Sequence, residues 1–376
     1  MTDSFKKAGY DMFYLCRCVL LGGKAKPSKI ETFDLDAIYE MCQHNSLTAM
    51  VCEALQQSGI EVDQKWKDAY AKSLRKNMLL DAERSKIFDM LDKNKIWHIA
   101  LKGVHMKDFY PSMGMRQMAD NDILYDSSRQ NDVTSIFTEL GYNADSIGKS
   151  HHDVYFKEPI YNFEMHTSLM GKYSEMYDYY RNIKDKLLPV DGKTYEYRFK
   201  DEDFYIYMTA HAFKHYSGGG TGLRTLIDYY VYLNKKEKDL DWVYVHKECE
   251  KLKISDFEKD MRTLSAHAFK RDLCLTDNEW DLLRYLLFSG TYGTLENSIK
   301  HKAETIGADS KLKYMLVRIF PNKAWLEKYE PIVAEYPVLY PFYLIRRVYR
   351  LIFVTRKARL KEFRAWKEMN DKSFNN

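Results

Sequence analysis

The sequence predicts an α+β fold: a short mixed sheet with helices on one face, flanked by N-terminal and C-terminal helical regions. Three observations carry that prediction. Apolar residues recur at helical intervals before residue 95 and again after residue 201. Short apolar runs bounded by turn residues fall between those regions. The runs alternate with amphipathic segments in the order strand, helix, strand, helix, strand, strand, which suits one small sheet. The expected organisation is 1–95 helical, 96–200 mixed, and 201–376 helical with a basic tail.

In the first region, Phe33–Gln57 places Leu35, Ile38, Met41, Leu47, Met50, Val51 and Leu55 at helix-like intervals, and Ser58-Gly59 ends it. Trp66–Asp92 continues with Ala69, Leu74, Met78, Leu79, Ile87, Phe88 and Leu91. Arg75, Lys76 and Arg84 on these helices read as a solvated face.

The chain centres on Ile96–Asp126. Ile96–Leu101 reads as a strand ending in Lys102-Gly103, where a phosphate would meet backbone N–H groups and an ammonium. About one helix later, Asp120-Asn121-Asp122 precedes the apolar Ile123-Leu124-Tyr125, a second strand. Residues two apart on a strand share a face, so Asp120 and Asp122 project together and Asn121 points away. Adjacent carboxylates repel unless a cation sits between them, and Mg²⁺ takes one or two carboxylates plus substrate phosphates. The other reading of Asp-Asn-Asp is a turn or a helix cap. Val133–Leu140 is an amphipathic helix, and His151–Phe156 reads as a further strand. Adjacency turns His151 and His152 to opposite faces, which makes them surface or structural residues rather than joint metal ligands. A third acid, Glu164, shares a strand face with His166.

Asp201-Glu202-Asp203 opens a helix that runs through Tyr207, Met208, His211 and His215. His211 and His215 have zinc-ligand spacing, but Ala212 stands where a metalloprotease carries glutamate. Ser217–Gly222 is no P-loop, since no Gly-Lys-Ser/Thr follows. It reads either as a flexible connection or as a loop beside a nucleotide, bounded by His215 and Arg224. Arg224 and Asp228 are four apart on the next helix and are expected to pair. Asp241–Lys311 reads as several amphipathic helices with Trp242, Leu252, Phe257, Leu264, Leu282 and Leu283 in the core.

The apolar run Tyr336–Ile345 is far shorter than the ~20 residues that cross a bilayer. Pro337–Val354 is expected to pack on the protein's own body. Between Arg346 and Glu368 stand nine basic residues and two acids, a surplus larger than the whole chain's net charge of +4. That tail reads as a solvated helix, or as a docking surface for an anionic membrane or RNA. No signal peptide is visible, and six cysteines without a C-x-x-C pair give neither a zinc nor a redox motif. Scattered single cysteines suit a reducing, cytoplasmic setting.

Leu101-Lys102-Gly103, Gly114-Met115-Arg116, Asp120-Asn121-Asp122-Ile123-Leu124 and Glu164-Met165-His166 together resemble the bacterial group of uncharacterised nucleotidyltransferases, in the polymerase-beta-like superfamily. The resemblance covers most of the chain. It departs from the superfamily in carrying Lys102-Gly103 where Gly-Ser or Gly-Gly is usual. It implies a nucleotidyltransferase-like sheet and Mg²⁺-dependent transfer of a nucleoside monophosphate from a nucleoside triphosphate, ATP among them, with release of pyrophosphate. Asp120, Asp122 and Glu164 would hold two Mg²⁺ ions, with Glu164 also activating the acceptor hydroxyl. Lys102 and Gly103 would face the β- and γ-phosphates. Arg116 would bind a phosphate or pair with an acid, and His166, His215 and Arg224 would lie beside the nucleotide. The acceptor stays open among a small molecule, a protein and an RNA. Two alternatives stand beside this reading: an inactive nucleotide-binding scaffold, and an RNA- or membrane-associated interaction protein using the basic tail.

Overall fold

The N-terminal helices begin and end at their capping residues. Helix α1, Asp3–Leu20, follows Thr2, whose side chain accepts from the Phe5 N–H. Helix α2, Leu35–Asn45, follows Asp34 and stops at Ser46, which is left-handed at φ 55°. That residue turns the chain before α3, Thr48–Gln57, so the expected run Phe33–Gln57 is two helices. Helix α4, Gln64–Lys93, starts at the Asp63 cap. This computed structural model describes residues 2–291, 293–305, 313, 316–317 and 319–354.

Five strands follow: β1 His98–Ala100, β2 Asn121–Tyr125, β3 Asn143–Ala144, β4 His152–Lys157 and β5 Tyr161–His166. Their order is β1-β2-β5-β4-β3. The β2–β5 pair is parallel and the others are antiparallel, so the sheet is mixed as expected. Helix α5, Lys102–Met106, follows β1, and α6, Gln130–Glu139, follows β2. Ile123, Tyr125, Tyr155, Phe163 and Met165 pack on Ile87, Phe88 and Leu91 of α4 and on Val133, Ile136 and Phe137 of α6. Strand side chains alternate, so Asp122, Glu164 and His166 leave on the other face. The alternation that fills the core therefore also sets the face of the polar residues. A small hairpin, β6 Leu188–Pro189 and β7 Tyr197–Arg198, lies beside β1.

Helices α7 Asp201–Gly218, α8 Leu223–Lys236, α9 Trp242–Lys251, α10 Ser255–Ala268, α11 Asp277–Ser289 and α12 Leu295–Thr305 complete the run. Leu252, Phe257, Leu264 and Leu283 are buried as expected, while Trp242 and Leu282 are half-buried. Together the helical flanks and mixed sheet make the fold α+β. The chain forms two compact units. One is residues up to Phe213 with Gly222–Thr291, and the other is Lys214–Thr221 with the described residues after 292.

The second unit includes α13 Lys323–Tyr329, α14 Pro331–Glu335 and α15 Tyr340–Tyr349. In α15 Tyr343 is buried and Arg347 stacks on Trp325. Phe342, Ile345, Val338, Phe353 and Val354 are exposed, so the expected packing of Pro337–Val354 is confined to one side of the helix. Residues 355–376, which hold most of the basic tail, lie outside the described residues. Among the described residues no helix is long and apolar enough to cross a membrane.

Helix α4 also grips the segment that leads into β2. Ser73 donates to the Gly114 carbonyl at 2.7 Å, Asn77 to Arg116 at 3.1 Å, and Lys76 to Ala119 at 2.8 Å. Asn121 donates to the Leu80 carbonyl and accepts from Arg84, both at 3.1 Å. Arg75 is exposed, but Lys76 and Arg84 face this segment rather than solvent alone. Gly114 has φ +87°, and a Cβ there would lie 3.1 Å from Leu74 Cα. Gly114→Ala is therefore expected to cost roughly 1–3 kcal/mol through strain and clash. The readout is a lower urea midpoint at constant slope; an unchanged midpoint would mean that the segment moves away freely.

Candidate active site

The two strands at the centre of the sheet bring the acids together. Asp122 of β2 is the direct register partner of Glu164 on the parallel β5, and both leave on the face away from the core. One ligand atom each from Asp122, Glu164 and His166 lies within 4.8 Å of the others. The Lys102 ammonium donates to Asp122 Oδ1 at 2.9 Å, and His166 Nε2 meets the same oxygen at 2.8 Å. Asp122 Oδ2 accepts no hydrogen bond among the described residues. Lys102 reaches this position from a left-handed backbone at φ 40°, a conformation that costs a non-glycine residue about 1–3 kcal/mol.

Charge sorts these groups. Burial would raise Asp122, but the Lys102 ammonium and the His166 hydrogen bond hold it well below the usual carboxylate range. Burial would likewise strip Lys102, yet Asp122 beside it raises the ammonium's pKa. His166 is pulled down to about 4 by burial. The imidazole is then neutral, so its proton sits on Nε2 and is donated to Asp122. That leaves His166 Nδ1 buried with no hydrogen-bond partner among the described residues.

Asp120 precedes β2 and stands outside that close group of three ligand atoms. It feels the group nonetheless. Burial, with Asp122 and Glu164 nearby, pushes its carboxyl up to about 7, against a lowering pull from Lys102 and Arg224. Asp120 makes no hydrogen bond or ion pair among the described residues. The sequence pattern is thus met in part: three acids share one region, but the tightest set includes His166 in place of Asp120.

Arg116 is clamped elsewhere. Its Nε and Nη2 donate to the two oxygens of Asp228, each at 2.9 Å, and Tyr110 Oη donates to Asp228 Oδ1 at 2.6 Å. Asp228, expected to pair with Arg224, is thus taken by Arg116, while Arg224 donates to the Gln117 carbonyl at 3.2 Å. Gly103 makes room for this clamp, since a Cβ there would lie 2.6 Å from Arg116 Nη1. His215 belongs to the second unit.

His151 and His152 are not the split pair that strand alternation suggested. Strand β4 begins only at His152, so His151 escapes the pleat. One ring nitrogen each from His151, His152 and His166 lies within 4.8 Å of the others. The sequence reading also passed over Tyr207 and gave Lys76 to solvent. Tyr207 is fully buried near Lys102, Asp122 and Glu164, and its hydroxyl has no hydrogen-bond partner among the described residues. Lys76 lies near Asp120. Neither belongs to a spaced motif, so no local signal marks them.

A small mixed sheet that carries grouped carboxylates beside a lysine is an arrangement suited to phosphate chemistry with a cation. A family model described as an uncharacterised nucleotidyltransferase matches residues 31–270, and the chain belongs to that family. Searches of curated proteins and of solved structures returned no match.

The raised Asp120 carboxyl makes stability depend on pH. Between 3.8 and about 7 the folded chain holds a proton that the unfolded chain has released, so stability falls as pH rises through that window. Asp120→Asn removes the repulsion. Without added metal, it should be more stable than the wild type at pH 8, by on the order of 1 kcal/mol, and the gap should shrink at pH 5. Urea unfolding at both pH values measures this; a destabilised variant at pH 8 would give Asp120 a structural role.

Proposed function

We propose that the chain transfers a nucleoside monophosphate from a nucleoside triphosphate to a hydroxyl acceptor at the face carrying Asp120, Asp122 and Glu164. The observation that supports this is Asp120: a carboxylate buried beside two others that makes no hydrogen bond or ion pair among the described residues. The donor set fits a hard divalent cation, because the Asp120 carboxylate and Asp122 Oδ2 accept nothing else among the described residues. Bound by Asp120, Asp122 and Glu164, Mg²⁺ would neutralise the triphosphate and the pyrophosphate that leaves it.

The remaining work falls to the chain's own groups. Lys102 and His166 both hold Asp122 Oδ1, which keeps that carboxylate ionised and fixed. Glu164, a quarter exposed, takes the proton of the acceptor hydroxyl. The acceptor oxygen then forms its bond to the α-phosphorus, and the bond from that phosphorus to the bridging oxygen breaks. Arg224, near Asp120, supplies positive charge for the triphosphate. Arg116 acts at one remove, by pinning the approach to β2 onto Asp228.

Incubation with each α-labelled nucleoside triphosphate, Mg²⁺ and a lysate of the source cell is expected to label one acceptor, whether small molecule, protein or RNA. Glu164→Gln should cut the rate about 10²–10⁴-fold, the usual worth of a general base, and Asp122→Asn should abolish labelling. Triphosphate binding without labelling of anything would leave the scaffold reading instead.

A second reading rests on the exposed side of α15 and the residue that follows it, where Phe342 and Ile345 accompany Arg346 and Arg350. An apolar and basic helix face suits weak contact with an anionic bilayer, at about 1 kcal/mol per basic residue near the surface. The protein is expected to sediment with vesicles containing phosphatidylserine and not with phosphatidylcholine alone. Equal recovery with both, or with neither, would remove this reading.

A further inference from the structure

We propose that His151, His152 and His166 form a second metal site, for a divalent cation of the zinc class, chemically distinct from the carboxylate site. One ring nitrogen of each lies within 4.8 Å of the others. The sheet builds this grouping. His152 is the direct register partner of His166 across the antiparallel β4–β5 pair. His151 stands just before β4, and its carbonyl accepts from the Thr167 N–H at 2.9 Å and from the Thr167 hydroxyl at 3.1 Å. Two hydrogen bonds to its backbone carbonyl thus hold His151 against the end of β5. The rings of His151 and His152 are half-buried, while His166 is 2% exposed.

His166 carries the strongest argument. Its Nε2 is taken by Asp122 at 2.8 Å, so the nitrogen left for a cation is Nδ1. That atom is buried and has no hydrogen-bond partner among the described residues. A metal-bound histidine almost always donates its other ring N–H to a carboxylate or carbonyl, which fixes the tautomer and strengthens the ligand. Asp122 and His166 already form that pair. Three imidazoles favour zinc, copper or nickel over magnesium, which prefers oxygen donors. Zinc–nitrogen bonds of about 2.0–2.1 Å in a tetrahedron place the nitrogens about 3.3 Å apart. Binding would therefore draw the three nitrogens together from their present spacing of up to 4.8 Å. Glu164 Oε2 lies 3.9 Å from His152 Nε2, at the border between this grouping and the carboxylates.

The test uses the full chain after chelator treatment, with Co²⁺ as the spectroscopic probe, Zn²⁺ as competitor and excess Mg²⁺ present. One Co²⁺ per chain should bind with the visible absorption of a tetrahedral site, and Zn²⁺ should displace it while Mg²⁺ does not. His151→Asn and His152→Asn should each weaken binding at least tenfold, with melting unchanged because both rings are partly exposed. Asp122→Asn should weaken it about 10–100-fold through His166. Cys274→Ser, at the exposed cysteine, should change nothing. The proposal is overturned by full binding in the double histidine variant, by loss of binding in Cys274→Ser, or by displacement with Mg²⁺. Binding is read without turnover, so its failure is distinguishable from a failure to transfer nucleotides.

Discussion

A buried guanidinium closed on a buried carboxylate holds the first unit's polar face in place. Arg116 stands on the approach to β2, Asp228 on α8, and each is only 8% exposed. Both hydrogen bonds are 2.9 Å, and Tyr110 adds a third to the same carboxylate. Stranding one partner of such a pair costs about 3–5 kcal/mol, so the two elements are bound to each other's placement. Gly103 lacks a side chain where the guanidinium passes, and Gly114 lacks one where the chain crosses α4. From the other side α4 fastens the same segment through Ser73, Lys76 and Asn77. Asp120 is thus presented by a segment gripped from two directions.

That grip makes the charge arrangement possible. Three carboxylates near one another would drift apart on a mobile loop, because separation relieves their repulsion. Here two are locked in register on adjacent strands, and the third sits on the fastened approach. Lys102 offsets one negative charge through Asp122, yet Asp120 makes no hydrogen bond or ion pair among the described residues. The left-handed backbone of Lys102 belongs to the same pattern: local cost is held by the surrounding structure so that one ammonium meets one oxygen. The buried Tyr207 hydroxyl and His166 Nδ1, without hydrogen-bond partners among the described residues, lie in this same neighbourhood. Polar atoms left unpaired near uncompensated charge are features of a binding site rather than of a finished core.

Much of this was legible in sequence. Alternation in Ile123–Tyr125 and Phe163–His166 set which residues fill the core and which leave it, because a strand has a period of two. The spacing of Asp120, Asp122, Glu164 and Lys102 marked the polar face. The helical flanks followed from apolar periodicity, and one helix end from Ser58-Gly59. Less was legible where a single residue leaves its element. Ser46 divides a continuous apolar pattern, and the start of β4 at His152 frees His151 from the opposite face.

The sequence by itself determined the class of fold, the family and the face on which the acids lie, since all three follow from patterns within a few tens of residues. Only the tertiary structure decided the partners. Asp228 is 112 residues from Arg116 and four from Arg224, and local spacing favoured the nearer arginine. Burial reverses that preference: the fork of Arg116 meets both carboxylate oxygens in a dry interior, where a charge needs full pairing. The same holds for His166, whose Nε2 meets Asp122, 44 residues away, on strands that meet only when the sheet forms. Such contacts depend on which surfaces exclude water together, and no interval along the chain records that.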